Sequence, residues 1–217
     1  MPITILDLTK DQPNPPPAYG GKHKHRLVGG KVLERKPQNV DSICLHQTAI
    51  EFGPKADPDA KHRRALQVAC HALAFADGTV VLPNPVSWYI NHANGFNARS
   101  LGIEIEGAFL GSPKHPTAPG GQAKASVVTD LVVASACAAV DELLERATRW
   151  GARIQFVLAH RQSSGTRPAD PGWELWQKVA LAHCVGKLGL KCIPSLTEDD
   201  GRAIPEVWDP SQKGVRY

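Results

Sequence analysis

The sequence lacks the features that mark several classes of protein. Its five cysteines are an odd number with no C-x-x-C pair, so we expect reduced thiols, although Cys184 and Cys192 are near enough in sequence to pair. The apolar run LVVASACAAV has ten residues, about half of what a membrane span requires. A net charge of +4 is too small to indicate nucleic-acid binding without a clustered basic patch. We therefore expect neither a nucleic-acid partner nor insertion into a membrane.

The N-terminal segment also lacks the basic start and long apolar stretch of a secretion signal, so we expect synthesis in the cytoplasm. Apolar side chains, in contrast, are plentiful: they make up 42% of the 217 residues, enough for the core of one domain. Prolines and glycines are frequent in residues 1–40, which predicts an irregular arm. The cluster KHKHR within it is expected to be a solvated basic patch, and contact with an anionic substrate is the alternative.

Strand and helix patterns alternate over the remaining chain. Apolar runs that end at His46 and His160 predict two buried strands, and Asp77-Gly78 predicts the turn of a hairpin. Three helices are predicted: the first over 57–68, where Asp57-Pro58 marks its start, the second from Thr129 to Gly151, and the third from Pro171 onward. This mixed order predicts an α/β (α+β) fold in which helices pack on a central sheet.

Two further segments are predicted to be irregular. The polar stretch 111–124 is a long loop, of the kind that is usually functional or mobile. The tail 194–217 is expected to pack on the domain through Trp208 and Tyr217.

Three side chains that can bind metal stand near the ends of the two predicted strands. His46 and His160 directly follow the apolar runs, and Asp170 lies ten positions after His160 in the segment AHRQSSGTRPADPG. Two imidazoles and one carboxylate would supply three ligands of a zinc site whose fourth position stays open. The alternative gives each residue a local role, because Asp170 before Pro171 also matches the start of a helix. Spacing alone leaves both interpretations open.

Glu104 lies in the alternating strand SLGIEIEGAF, where it shares a face with Gly102 and Glu106. Such a glutamate usually faces solvent. Gly102 and Gly107 would, however, leave room for a ligand beside it. Glu104 is therefore also the candidate for a general base that activates water.

Four segments follow one another along the chain and are considered together: ICLHQTA, CHALAFADGTV, HANGFNARSLGIEIEG and AHRQSSGTRPADPG. The metal site becomes the stronger interpretation through the family resemblance that they carry. Together they resemble the zinc-dependent N-acetylmuramoyl-L-alanine amidases of the type 2 amidase and peptidoglycan recognition protein superfamily. The resemblance covers roughly residues 41–181. It implies a central mixed β-sheet flanked by helices, with a zinc ion in a groove at one end of the sheet.

The resemblance also implies roles for single residues. It gives Zn²⁺ the ligands His46, His160 and Asp170, and it makes Glu104 the catalytic acid/base. The substrate-binding residues that it implies are His92 and Asn97, with His71 behind them near the site.

One position departs from the family pattern. Many relatives have a lysine two residues before the third ligand, where this chain has Pro168. We expect Arg167 to supply the positive charge that stabilises the oxyanion, with Arg161 as the second choice. The guanidinium is a planar donor, so its geometry differs from that of an ammonium.

The implied reaction is hydrolysis of the amide between N-acetylmuramic acid and L-alanine in peptidoglycan or a muropeptide. We expect a monomer with an arm over 1–40, an amidase domain over 41–193 and a tail over 194–217. A phage-type endolysin, which would reach the cell wall after release from the cytoplasm, fits best. The alternatives are a cytosolic muropeptide-recycling amidase, an injected antibacterial effector and a module that binds peptidoglycan without cleaving it.

Overall fold

The fold is known from a computed structural model, which describes residues 2–18, 21–53, 58–114 and 118–217. Its strands are β1 (Thr4–Asp7), β2 (Leu27–Val28), β3 (Lys31–Val32), β4 (Ser42–Gln47), β5 (Ala72–Ala74), β6 (Thr79–Leu82), β7 (Ser100–Ile105), β8 (Phe156–Ala159) and β9 (Lys191–Cys192). Its helices are α1 (Pro58–His62), α2 (Asp130–Trp150) and α3 (Trp173–Leu175), and α3 continues as a π-helix over Trp176–Lys187. Short 3₁₀ segments cover Pro37–Asn39, Arg63–Gln67, Asn94–Phe96, Pro119–Gly121 and His160–Gln162.

Seven strands form one mixed sheet in the order β1-β6-β5-β7-β4-β8-β9, and β2 pairs with β3 in a separate hairpin. The central strands β7, β4 and β8 are parallel, whereas β5 and β6 are antiparallel. Helices pack on this sheet, so the predicted fold class is confirmed. The predicted hairpin turn is confirmed as well, because Gly78 has a φ of +90° and Asp77 Oδ1 accepts a hydrogen bond from the Thr79 amide.

The two faces of β4 have different surroundings, because successive side chains of a strand point in opposite directions. Ile43 and Leu45 belong to the main core, together with the buried side of α2. Cys44 and His46 lie on the other face. Apolar packing therefore holds the strand from one side, and the opposite side is left for polar groups at its carboxyl end.

Helix α2 begins and ends where the sequence predicts. The Thr129 hydroxyl accepts a hydrogen bond from the Val132 amide at 3.2 Å, which caps the first turn. Gly151 has a φ of +94°, the left-handed conformation that commonly ends a helix.

Two other predicted helices differ from expectation. The helix over 57–68 is α-helical only over Pro58–His62 and continues as a 3₁₀ helix, while its predicted first residue, Asp57, lies outside the described residues. The last helix begins at Trp173, with Gly172 as its N-cap and no side-chain cap. The interpretation of Asp170 as a helix cap is thus wrong, because the helix starts after Gly172 and no side chain caps it.

The chain ends are more ordered than the sequence predicts. The arm contributes the edge strand β1, parallel to β6, and Leu6 packs on the cluster that includes Phe75 and Val81. In the tail, Trp208 is fully buried, and its indole donates to the Gly111 carbonyl oxygen at 2.6 Å, so the predicted anchor is confirmed. All five cysteines carry free thiols. No helix within the described ranges is long and apolar enough to cross a membrane.

Candidate active site

The topology brings the predicted ligands to one edge of the sheet. Strands β4, β7 and β8 are parallel neighbours, so their carboxyl ends meet at the same edge, where α/β proteins commonly place their sites. His46 near the end of β4 lies directly opposite Glu104 on β7. His160 follows the last residue of β8, and the loop after it returns Asp170 to the same place.

His46, His160 and Asp170 offer one ligand atom each, and these atoms all lie within 4.8 Å of one another. The His160 Nδ1 atom is 3.0 Å from Asp170 Oδ2. The second oxygen, Oδ1, accepts a hydrogen bond from the Gln47 backbone amide at 2.8 Å, which fixes the orientation of the carboxylate. The three residues that the sequence singles out therefore form one cluster.

Hydrogen bonds determine which nitrogen of His46 is free. Burial lowers the pKa of His92 to about 3, so this ring is neutral and carries one N–H. The Ser100 hydroxyl donates to the Phe96 carbonyl oxygen, so Ser100 presents only acceptors to His92 Nε2, at 3.3 and 3.4 Å. His92 Nε2 therefore donates and Nδ1 accepts. Since His92 Nδ1 lies 3.0 Å from His46 Nε2, the latter donates, and His46 Nδ1 keeps its lone pair.

This lone pair is what a metal ligand requires. His46 is fully buried, and its Nδ1 has no hydrogen-bond partner among the described residues. Burial lowers the pKa of His46 well below its usual value, so the imidazole stays neutral. Neutral imidazole is the form that binds metals. A divalent cation that accepts nitrogen and oxygen ligands fits this cluster.

A second group, Cys44 with His46 and His92, also has metal-ligand atoms close together. Its chemistry is less suitable, because burial raises the pKa of the Cys44 thiol well above its usual value and a thiolate is the form that binds. Cys44 packs with apolar neighbours such as Phe96 and Leu158. In the first group every ligand is an imidazole or a carboxylate, and none is a buried thiol. The first group is the candidate metal centre.

The two glutamates on β7 and just after it have different environments. Both carboxylate oxygens of Glu106 are used: they accept hydrogen bonds from the Phe52 and Ala76 amides, and Lys61 lies 3.3 Å away. Glu104 lines the groove, and its buried Oε2 has no partner within the described part of the chain. Burial, together with the Asp170 charge, raises the pKa of Glu104 to about 8. Only Glu104 is thus available for proton transfer.

The predicted substrate-binding residues lie beside the site, mostly behind its surface. His92 is 7% exposed, and it touches the groove while it hydrogen bonds to His46. Asn97 is 8% exposed and accepts from the His92 and Ala93 amides, so it stabilises the turn that carries His92. His71 is fully buried, and its Nδ1 accepts from the Gly102 amide.

The expectation that Gly102 and Gly107 leave room for a ligand is wrong. A Cβ atom on Gly102 would lie 2.6 Å from His92 Nδ1, so the space above this glycine is filled by the His92 ring. The space at Gly107 is filled by the Phe109 ring. Both glycines allow protein side chains to pack closely on the backbone.

The two predicted arginines are separated by the fold. Arg161 is 1% exposed; its guanidinium donates to the backbone carbonyl oxygens of Pro168 and Ala203 and lies over the Trp208 ring. Arg161 therefore joins the loop to the tail and is not directed to the groove, which removes the second choice for the oxyanion role. Arg167 is exposed and lines the groove together with His160 and Glu104.

The groove is elongated. A central cavity of about 490 Å³ contains Glu104, His160 and Arg167. A cavity of about 240 Å³ adjoins it at Gln67, Val68 and Glu104, and another of about 260 Å³ adjoins it at Thr166 and Arg167. The three cavities thus share lining residues and form one groove that contains Glu104 and His160.

Sequence reasoning missed two residues of the site. Gln47 orients the Asp170 loop, because its side-chain amide donates to the Ala169 carbonyl oxygen at 2.7 Å in addition to the backbone contact above. Its position directly after His46 was the available signal. Lys24, from the predicted basic patch, lines the central cavity. Nothing in the local pattern distinguishes it from the other basic residues of KHKHR.

Comparison with known proteins gives one family and one fold. The family model described as N-acetylmuramoyl-L-alanine amidase matches residues 36–173. Among solved structures, the chain is similar to the endolysin N-acetylmuramoyl-L-alanine amidase LysCS from Clostridium intestinale URNW, with 18% identity, a TM-score of 0.50 and coverage of 88% of this chain and 99% of that chain. It is also similar to Drosophila PGRP-LB, with 15% identity, a TM-score of 0.50 and coverage of 87% of this chain and 96% of that chain. At such identities the structural likeness shows the fold alone, and no curated protein matches the sequence.

Proposed function

Because this chain belongs to the N-acetylmuramoyl-L-alanine amidase family, we propose that it is a zinc amidase that hydrolyses the bond between N-acetylmuramic acid and L-alanine. The family membership confirms the resemblance carried by the four sequence segments. The observation that carries the proposal is that His46 Nδ1 and Glu104 Oε2, two buried atoms without partners among the described residues, belong to residues that lie opposite each other on β4 and β7. The first is suited to a metal ion, and the second to a proton.

Zn²⁺ held by His46, His160 and Asp170 would supply Lewis-acid chemistry, which polarises a carbonyl group and makes a water molecule more acidic. Glu104 Oε2 accepts the proton of the attacking water and then delivers it to the nitrogen of the leaving L-alanine. Burial disfavours the ionised carboxylate that this step needs, and the positive charges of Arg167 and Lys24 oppose that effect. Arg167 also supplies positive charge for the oxyanion.

The shape of the groove supports a polymeric substrate, and we propose that the protein acts on the cell wall as a phage-type endolysin. Two smaller cavities adjoin the central one, the first at Glu104 and the second at Arg167. A recycling enzyme would act on soluble muropeptides and would not require intact wall. Release of stem peptides from intact sacculi at a rate similar to that from soluble muropeptides would support the endolysin role. Cleavage restricted to soluble muropeptides would refute it.

The test of the activity is a digest of purified sacculi followed by mass spectrometry of the released fragments. We expect free stem peptides that begin with L-alanine, and we expect a chelator to abolish them and added zinc to restore them. Glu104→Gln should retain zinc and lose at least about 100-fold in rate, since a general base contributes about that much. Glu106→Gln is the matched control, because it changes the neighbouring glutamate that has only backbone and lysine partners. Equal rates for the wild type and Glu104→Gln would refute the assignment of the base.

A further inference from the structure

The proposed reaction uses Arg167 at the oxyanion, but it gives the second cation of the central cavity, Lys24, no contact with the reacting atoms. Two cations, Lys24 and Arg167, line this cavity, whereas Glu104 is the single carboxylate among the described residues that line it. The remaining polar wall consists of the imidazoles of His92 and His160 and of amides and hydroxyls, from Gln67, Asn91, Asn94, Ser164 and Thr166. Such a wall offers hydrogen-bond donors to an anionic, polar ligand.

Lys24 comes from outside the region that the family model matches, which begins at residue 36. Its position is nevertheless fixed by the backbone on both sides. The Asn91 amide donates to the Lys24 carbonyl oxygen at 2.7 Å, and the Arg26 amide donates to the Tyr89 carbonyl oxygen at 3.1 Å. The arm thus runs antiparallel to residues 88–91, with an isolated bridge between His25 and Ile90.

The side chain of His25 provides a second anchor. It is 4% exposed, its ring is 5.5 Å from that of Trp88, and its Nε2 lies 2.8 Å from Asn84 Oδ1. Since successive side chains of an extended segment point to opposite sides, a buried His25 leaves Lys24 on the groove side. Lys24 is half-buried there, and its ammonium makes no ion pair with any residue that the structure describes.

We propose that Lys24 is a specificity-determining residue that holds a carboxylate of the muropeptide in the groove. This inference rests on the proposed function. A free stem peptide has at least its terminal carboxylate, and an ammonium in a partly enclosed groove binds such a group more strongly than one on an open surface. The arm would thereby supply a contact to a substrate carboxylate from outside the amidase domain.

The test compares Lys24→Met with the wild type on two soluble muropeptides, one with free carboxylates and one with the same carboxylates amidated. On the free form we expect KM to rise about tenfold, because one charge-assisted hydrogen bond is lost. Any fall in kcat should be equal on the two forms, since Lys24 also favours the ionised Glu104 carboxylate. On the amidated form the two proteins should have the same KM. Lys24→Arg keeps the charge and should restore most of the affinity.

Lys22→Met is the matched control, since Lys22 is an exposed lysine of the same cluster that does not line the groove. Its KM should equal that of the wild type on both substrates. The proposal is overturned if Lys24→Met leaves KM unchanged on the free form, or if it raises KM equally on both forms. A loss confined to kcat would also overturn it, because it would place the charge on the reacting atoms.

Failure of the proposed function would have a different signature, namely no cleavage of either muropeptide by the wild type. In that case, calorimetry measures how tightly the muropeptide binds to two inactive proteins. The first carries Glu104→Gln alone, and the second carries both Glu104→Gln and Lys24→Met. Binding of the free form about tenfold weaker in the second protein supports the contact without any catalysis. Equal binding of the free form by both proteins overturns it.

Discussion

Replacement of His92 by phenylalanine tests the hydrogen-bond chain that prepares His46 for metal. Phenylalanine keeps the ring volume over Gly102 but removes Nδ1, the acceptor of the His46 Nε2–H. That N–H is then buried without this partner, and the proton is free to move to Nδ1, the atom that would bind the metal. Partners of this kind typically affect metal affinity by about 10- to 100-fold. The expected loss of zinc-binding free energy is therefore about 1.4–2.7 kcal/mol.

The assay is a competition titration of zinc between the apoprotein and a chromophoric chelator. His92→Gln, whose amide oxygen can accept the same proton, should recover part of the affinity. His25→Phe is the control, because His25 is similarly buried and hydrogen bonded but contacts Asn84 and Trp88 in place of a ligand. Imidazole nitrogen NMR of the apoprotein should show His46 protonated on Nε2. Wild-type zinc affinity in His92→Phe, or a His46 proton on Nδ1, would refute the reasoning.

Three further outcomes are expected. Gly102→Ala would place a Cβ 2.6 Å from His92 Nδ1, so zinc affinity should fall together with a loss of about 1–3 kcal/mol in stability; an unchanged melting temperature and zinc titration would contradict this. Arg161→Met should destabilise the fold by about 3 kcal/mol, since it removes buried donors to the Pro168 and Ala203 carbonyls, and urea unfolding measures the loss. Burial alone would raise the pKa of Asp77, but hydrogen bonds from Lys61 and Thr79 lower this pKa to about 2. The stabilisation that Asp77→Asn removes should thus be complete above the unfolded-state pKa of about 3.8 and disappear as the pH falls through about 2. Because the Asp77 side chain is 41% exposed, this stabilisation should stay below about 1 kcal/mol. A difference in stability between Asp77→Asn and the wild type that persists in acid would show that it does not come from the ionised Asp77 carboxylate.

Local patterns in the sequence were sufficient for a substantial part of the fold. Helix α2 follows from its apolar spacing, its Thr129 cap and Gly151, and the β5–β6 hairpin follows from Asp77-Gly78. The same kind of reasoning placed His46 and His160 at strand ends. These features are predictable because the interactions that form them join residues within a few positions of one another.

The details of the site could not be predicted from local patterns in the sequence. Asp170 was consistent with a helix cap until the Gln47 amide and His160 were seen to hold its carboxylate, and Glu104 and Glu106 look alike on one strand. Which of them keeps an unpartnered oxygen depends on the Phe52 and Ala76 amides, which reach only Glu106.

The sequence by itself thus determined which residue types can bind a metal and where strands place them. The tertiary structure decided which atoms remain available: His46 Nδ1, through a chain of hydrogen bonds that ends at Ser100, and the Lys24 ammonium, through an arm that pairs with residues 88–91. These properties depend on contacts between segments far apart in the chain. A local pattern contains no information on the protonated nitrogen of a histidine, because the partner that fixes it arrives only when the chain has folded.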